Sequence, residues 1–394
     1  MRFEDIEEVF EKIKKFHPNM FFNITEERFE REMEWSKSNW ENLDIYGQIY
    51  EAWRLTALLG DAHIKMGFRD LPDDGYQDIY PFLIKKLKEG YCIVDIDVNS
   101  MPQEMLYTKV VGINGIPIEE IIEISQPIIS TENGVFNFEF ERYLTSRLFY
   151  KVLGIDDGNK ITLTLQNEEK TFDVVVKALG KNHKVKPTIK PSVYYSLNDL
   201  NDYCYLKINR FKINKKININ KIYTEVEKAV NEEKPIIVDV RENSGGKYRI
   251  FSYLWEILEK SKAKGYCLVD HNSYSASVMT AQKLRNIGFT IVGEPMGQPS
   301  TFNGAIFSNG AETRAGIKLR IPTVTVDKNI EIHKTILPAG FKFEENPLIP
   351  DVIITQSLED KKNNKDAMLD YCVKQIHNQN KTNKISYEET EFCR

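Results

Sequence analysis

The sequence predicts an α/β protein built from a helical domain, an α+β module and a core of alternating strands and helices. Three observations carry this. Residues 1 to about 62 place apolar side chains at helical intervals. From "HIKMGF" the texture changes to β-branched runs broken by turn signals. After about residue 190, strands alternate with helices of roughly 10 to 15 residues, which suggests crossover connections and a largely parallel sheet.

The elements follow in order. "DIEEVFEKIKKF" spaces Ile6, Val9, Phe10, Ile13 and Phe16 as one face of a helix, with Asp5 placed to cap it and His17-Pro18 to end it. "EERFEREMEWSKSNWENL" and "YGQIYEAWRLTALLGDA" continue the helical pattern. "YCIVDIDV" and "TKVVGINGIPIEEI" read as strands and turns, "NFEFERYLTSRLFYKVLG" as a helix, and "KITLTLQNEEKTFDVVVK" as two strands around a polar turn. "GKNHKVKPTIKPS" is a linker. Beyond it come the strands "YCYLKINRF", "PIIVDVR", "GYCLVDH" and "TIVGEP". The helices "INKIYTEVEKAVNEE", "YRIFSYLWEILEKSK" and "SASVMTAQKLRNIG" alternate with them. Ligands on such sheets sit at the carboxyl ends of the strands, and the loops "RENSGG" and "HNSYSAS" both lie at that edge. The end, 379–394, reads as a mobile polar tail.

Composition narrows the function. With 41% hydrophobic and 28% charged residues the chain can bury sizeable cores. The 53 basic and 58 acidic residues give a net charge of −5 with no basic block, which argues against nucleic acid as a partner. Five cysteines, Cys92, Cys204, Cys267, Cys372 and Cys393, are odd in number and form no CxxC pair. They fit reduced thiols better than a disulfide framework or a zinc site. No apolar run approaches the roughly 20 residues of a membrane span. The amphipathic N-terminus lacks the pattern of a secretory signal. A cytoplasmic protein is expected, or a secreted or cell-surface one if a leader has been removed.

Chemistry centres first on "NSYSASVMTAQ", where Ser273, Ser275 and Ser277 crowd the start of a helix. Capping is the commoner use of such a serine. Ser275 is also placed for nucleophilic attack, with the Ala276 amide beside any oxyanion formed on its acyl group. Gly245 and Gly246 in "VDVRENSGG" allow positive φ and an anion-binding nest, or simply a tight turn. A base is needed among six histidines. His63 lies at a helix-to-strand junction close to Asp61, while His271 sits at a strand end where a structural role serves as well.

Taken together these stretches resemble the carboxyl-terminal processing, or tail-specific, family of serine peptidases. "KKFHPNMF", "LLGDAHIKM", "TKVVGINGIPIEEI", "YCYLKINRF", "IIVDVRENSGG", "SYSAS" with "IVGEPMG", and "LIPDVIITQSLED" with "DAMLDY" match that family's elements in order, over roughly residues 10 to 378. The resemblance implies a Clp-protease/crotonase-like core at 190–378, after a helical domain at 1–75 and a PDZ-like module at 76–180. It makes Ser275 the nucleophile, with Ala276 and either Gly245 or Gly246 as oxyanion donors. The family's lysine has no counterpart in "GEPMGQPSTFNG", where Gln298 is the nearest match, and this speaks against a serine–lysine dyad. The histidine-using, tricorn-core-like branch fits better, with His63 as base and Glu345 or Glu344 as a third catalytic residue.

The expected function is therefore hydrolysis of peptides or protein C-terminal segments through a Ser275–His63 acyl-enzyme, with no metal or organic cofactor. Ile64, Val278 and Met296 depart from the family's usual threonine, glutamate and threonine. They motivate one alternative, a catalytically silent peptide-binding protein. An esterase or amidase acting on small acyl substrates is the other.

Overall fold

The computed structural model describes the chain apart from residues 69–70, 72–77, 133–135, 157, 181–194, 201, 213–217, 248–250, 264, 300–302, 305–311, 326–347 and 392–394. The chain divides into two compact units, Met1–Lys190 with Thr301–Ile330, and Pro191–Ser300 with Glu331–Arg394. No helix among the described residues is long and apolar enough to cross a membrane.

In the first unit, α1 (Phe3–Phe16) buries Ile6, Val9, Phe10 and Ile13, the stripe that the spacing predicts. Asp5 supports its start by accepting the Arg2 N–H at 2.9 Å. His17 ends it in extended backbone, as a residue before proline must be. Helices α2 (Glu26–Asn39) and α3 (Ile45–Leu58) begin at Thr25 and Asp44, whose side chains accept the amides of Arg28 and Gly47. Strand β1 (Lys65–Gly67) follows α3 and pairs antiparallel with β14 (Lys318–Arg320). Residues 317–321 bring Ile317, Leu319 and Ile321 into the helical core beside Ile6, Phe10 and Trp40. The segment Thr301–Ile330, inside the 190–378 stretch, thus groups with the first unit. Its remaining described strands are β13 (Asn303–Gly304) and β15 (Val324–Thr325), an antiparallel pair.

A second core in this unit forms on an antiparallel sheet of order β2-β3-β4-β6-β7. Its strands are Phe82–Leu87, Gly90–Ile96, Lys109–Ile113, Lys160–Gln166 and Thr171–Lys177. The short β5 (Ile116–Pro117) folds back on β4 through Asn114 and Gly115, both at positive φ, and leads into α4 (Ile118–Ser125). The stretch expected as one helix is two, α5 (Asn137–Tyr143) and α6 (Arg147–Val152). Thr145 accepts the Tyr80 amide and Ser146 bridges Ile79, so strand-like pairing outcompetes helix continuation at the break.

The second unit holds one sheet of order β16-β12-β11-β10-β9-β8. In chain order these are β8 (Tyr195–Asp199), β9 (Cys204–Ile208), β10 (Ile236–Asp239), β11 (Tyr266–Val269), β12 (Thr290–Gly293) and β16 (Val352–Ile353). All pairings are parallel except β8 on β9. β10 and β11 are buried at every position, as strands covered on both faces are. The expected helices are present as α7 (Ile219–Asn231), α8 (Ser252–Leu258) and α9 (Ala276–Asn286). Met368, Cys372 and Ile376 of the last helix, Ala367–Glu391, pack on Ile237, Tyr266, Leu268 and Val292. That helix runs through much of the stretch read as a polar tail. Cys92, Cys204, Cys267 and Cys372 are buried, and Cys393 lies outside the described residues.

Candidate active site

The loops after β10 and β11 are tied together by one buried residue, Asn243, whose backbone carbonyl reaches the β11 loop and whose side chain braces its own. Its amide donates to Ile208 O at 2.7 Å, and its Oδ1 accepts the Gly245 N–H at 2.9 Å. Its carbonyl accepts from the Tyr274 amide at 3.0 Å and the Ser277 hydroxyl at 2.7 Å. Asp270 adds a second tie, taking the Glu242 amide at 3.0 Å on each carboxylate oxygen.

Against this frame the three serines separate. The Ser273 hydroxyl is enclosed, 2.9 Å from both Val240 O and Asp270 Oδ1. Ser277 is held on Asn243. Ser275 stands at the strand-to-helix turn with φ 56° and ψ −117°, and its side chain caps nothing. An ordinary N-cap has extended backbone and an occupied hydroxyl. Positive φ at a non-glycine residue is strained, and such a turn is how α/β sheets present a nucleophilic serine.

The frame around Ser275 is close. A Cβ added to Gly245, which has φ +90°, would lie 2.6 Å from Ser275 Cβ, 2.9 Å from Tyr274 O and 3.0 Å from Ala276 N. Gly246, at φ +138°, runs so near Phe211 that a Cβ would meet its carbonyl at 2.3 Å. Both glycines are thus required by approach as well as by conformation. The Gly245 amide is engaged by Asn243, whereas Gly246 N–H donates to no described residue. Ala276 opens α9, where first-turn amides have no acceptor within the helix. Gln298, fully buried, accepts the Ser275 N–H at 2.5 Å, so the residue nearest the family's lysine holds the serine's backbone. His271 Nδ1 and Glu294 Oε2 form a buried pair at 2.6 Å.

In the first unit, "LLGDAH" explains how His63 is set. Gly60 at φ +72° closes α3 through its amide on Ala57 O. Asp61 then makes a local turn, its Oδ1 accepting the His63 N–H at 2.7 Å while its backbone carbonyl accepts the Ile64 amide at 3.1 Å. Two further residues meet here. His17 Nε2 lies 3.0 Å from Asp61 Oδ2, and Glu132 Oε1 accepts the Ala62 amide at 3.1 Å. His63 Nδ1 is 3.5 Å from Asp61 Oδ1 and 3.5 Å from Glu132 Oε1. Burial alone would lower the His63 pKa, but Asp61 and Glu132 outweigh it and push it up to about 9. Burial likewise works to raise Asp61, and hydrogen bonds from His17 and His63 hold it well below the usual carboxylate range instead.

Ser275, Ala276 and Gly245 therefore come together in the second unit, with Gly246 next in the same loop, and Asp61 and His63 come together in the first. Glu344 and Glu345 lie outside the described residues. Glu132 was not anticipated: it stands in a polar loop about 70 positions from His63, with no periodic or motif signal. His17 sits inside "FHPN", a stretch with a sequence signal but no role attached to it.

No protein-family model and no curated protein matches the chain. The parallel sheet, the antiparallel sheet and the helical segment define an α/β protein of the architecture found in solved structures of CPAF. Mature CPAF complexed with lactacystin aligns at 13% identity and a TM-score of 0.64, covering 95% of this chain and 97% of that one. A serine-to-alanine mutant of CPAF aligns at 11% identity and 0.64, covering 92% and 94%. Mature CPAF aligns at 12% and 0.62, covering 91% and 93%. At these identities the likeness establishes the fold alone.

Proposed function

We propose that the chain is a serine peptidase acting on peptides or the carboxyl-terminal ends of proteins. The observation that carries this reading is the backbone of Ser275, strained at the head of α9 with its hydroxyl spared from capping. In the reading, Ser275 attacks the scissile carbonyl and the neutral form of His63, whose share grows as pH rises toward its pKa of about 9, takes its proton and later returns one to the leaving amine. Ala276 and Gly246 donate to the oxyanion. What supports Gly246 over Gly245 is that the Gly245 amide is already committed to Asn243. Each donor contributes about 3–4 kcal/mol to the transition state in such sites. Asp61 keeps His63 in place through the local turn, and Gln298 keeps the strained serine in place through its amide. We infer a PDZ-like role for the antiparallel sheet and a crotonase-like one for the parallel sheet, on the sequence resemblance together with the strand orders.

A fluorophosphonate probe tests the assignment. The unsubstituted chain should be labelled, Ser275→Ala should not, and His63→Ala should label far more slowly. Equal labelling of all three sinks the reading.

A further inference from the structure

The pocket of side chains around His63 has the makings of a cation site. Asp61, His63 and Glu132 are all buried, and one potential ligand atom from each lies within 4.8 Å of the others. His63 Nδ1 stands 3.5 Å from a carboxylate oxygen of each acid. A strong N–H···O contact would draw these atoms to about 2.7–3.2 Å. A tetrahedral zinc with nitrogen and oxygen ligands at about 2.0–2.2 Å sets its ligand atoms about 3.3–3.6 Å apart. The two nitrogen–oxygen distances match the second arrangement.

The surroundings also suit a metal. Ligating carboxylates are commonly oriented by outer hydrogen bonds. Here Asp61 is held by His17 Nε2 at 3.0 Å and by the His63 amide, and Glu132 by the Ala62 amide.

We propose that Asp61 Oδ1, His63 Nδ1 and Glu132 Oε1 bind a divalent first-row cation of the zinc class, and that this cation inhibits the peptidase. The inhibition rests on His63 being the base of the proposed reaction. A coordinate bond forms at the Nδ1 lone pair, and any proton on that nitrogen leaves to solvent. The imidazole then keeps its single proton on Nε2, which has no lone pair left for the serine proton.

Zinc chloride titrated calorimetrically into the Ser275→Ala chain should show one saturable site per chain. Asp61→Asn and Glu132→Gln should each weaken binding at least ~100-fold, and His17→Ala about 10- to 100-fold, in line with lost inner and outer ligands. His271→Ala, which removes the other buried histidine–carboxylate pair, should leave affinity unchanged. Cobalt(II) added to the unsubstituted chain should give the visible absorption of a four-coordinate nitrogen–oxygen site, a readout independent of how the variants fold. Absence of saturable zinc binding overturns the site, as does binding that survives Glu132→Gln and disappears in His271→Ala. In the unsubstituted chain, zinc should suppress fluorophosphonate labelling and a chelator should restore it. Zinc binding with undiminished labelling overturns the inhibitory role. A chain that never labels fails the peptidase reading instead, and the titration still judges the cation site.

Discussion

Ser275→Gly should leave the protein at least as stable while abolishing its chemistry. At φ 56° and ψ −117°, an L-residue occupies backbone space that only glycine adopts freely. Strain of this kind costs about 1–3 kcal/mol per residue. Glycine relieves it but gives back roughly 0.5–1 kcal/mol in unfolded-chain entropy. The glycine variant should therefore match or exceed wild type, by up to about 2.5 kcal/mol, a rise in Tm of up to several degrees at roughly 2–4 °C per kcal/mol. Ser275→Ala keeps the strain and removes a hydroxyl that caps nothing, so its stability should stay close to wild type. Urea unfolding of the three chains ranks them directly. An ordinary N-cap gives a different order, with serine most stable, glycine a few tenths lower and alanine about 1 kcal/mol lower. Observing that order would refute the strained turn, and with it the observation on which the peptidase reading rests.

Two other substitutions probe the same unit. Gly245→Ala should lose about 2–5 kcal/mol, combining a left-handed backbone cost with contacts at 2.6–3.0 Å on the serine turn. Gly288→Ala, at φ +96° with no described heavy atom within 4 Å, should lose only the backbone part, about 1–2 kcal/mol. Equal losses in urea would mean the two loops are not in tight contact. Asp239 is fully buried, with Lys207 Nζ at 2.9 Å, Arg241 Nη2 at 2.6 Å and the Tyr205 hydroxyl at 2.7 Å. Burial would raise its pKa, but Arg241 and Lys207 outweigh that and hold it well below the usual carboxylate range. Its contribution is therefore complete above about pH 4 and lost as pH falls below that, since the unfolded carboxylate protonates first. Asp239→Asn should lose about 3–5 kcal/mol at neutral pH and show a flatter acid limb in urea titrations from pH 5 to 2. An unchanged acid limb would remove Asp239 from the acid response.

Much of the fold was legible because burial repeats with a period. The runs "PIIVDV", "GYCLVD" and "TIVG" are too apolar for a half-exposed strand and form parallel strands of the second unit, while "YCYLKI" alternates buried and half-buried positions beside them. The α1 stripe and the β6–β7 hairpin were equally plain. The break between α5 and α6 was not, because it depends on Ile79 and Tyr80 pairing with residues over 60 positions away. In the candidate site, position along the chain was readable and conformation was not. "SYSAS" singles out a serine only through its resemblance, and nothing in the letters states that Ser275 is strained while Ser273 and Ser277 are occupied. Glu132 illustrates the harder case, a side chain recruited by tertiary contact from a loop of ordinary polar composition.

The pairing of β1 with β14 has a consequence for how the chain matures. Residues 65–67 follow directly on the His63 turn, and their partner strand spans 318–320. Synthesis runs from the N-terminus, so the ribosome has already passed Ser275 by more than 40 residues before that partner exists. Ile317, Leu319 and Ile321 complete the helical core at the same moment. A nascent chain or a fragment ending near residue 190 thus carries His63 beside an unpaired strand and an unfilled core. On the proposed reading, the protein is unarmed until most of its length has been made.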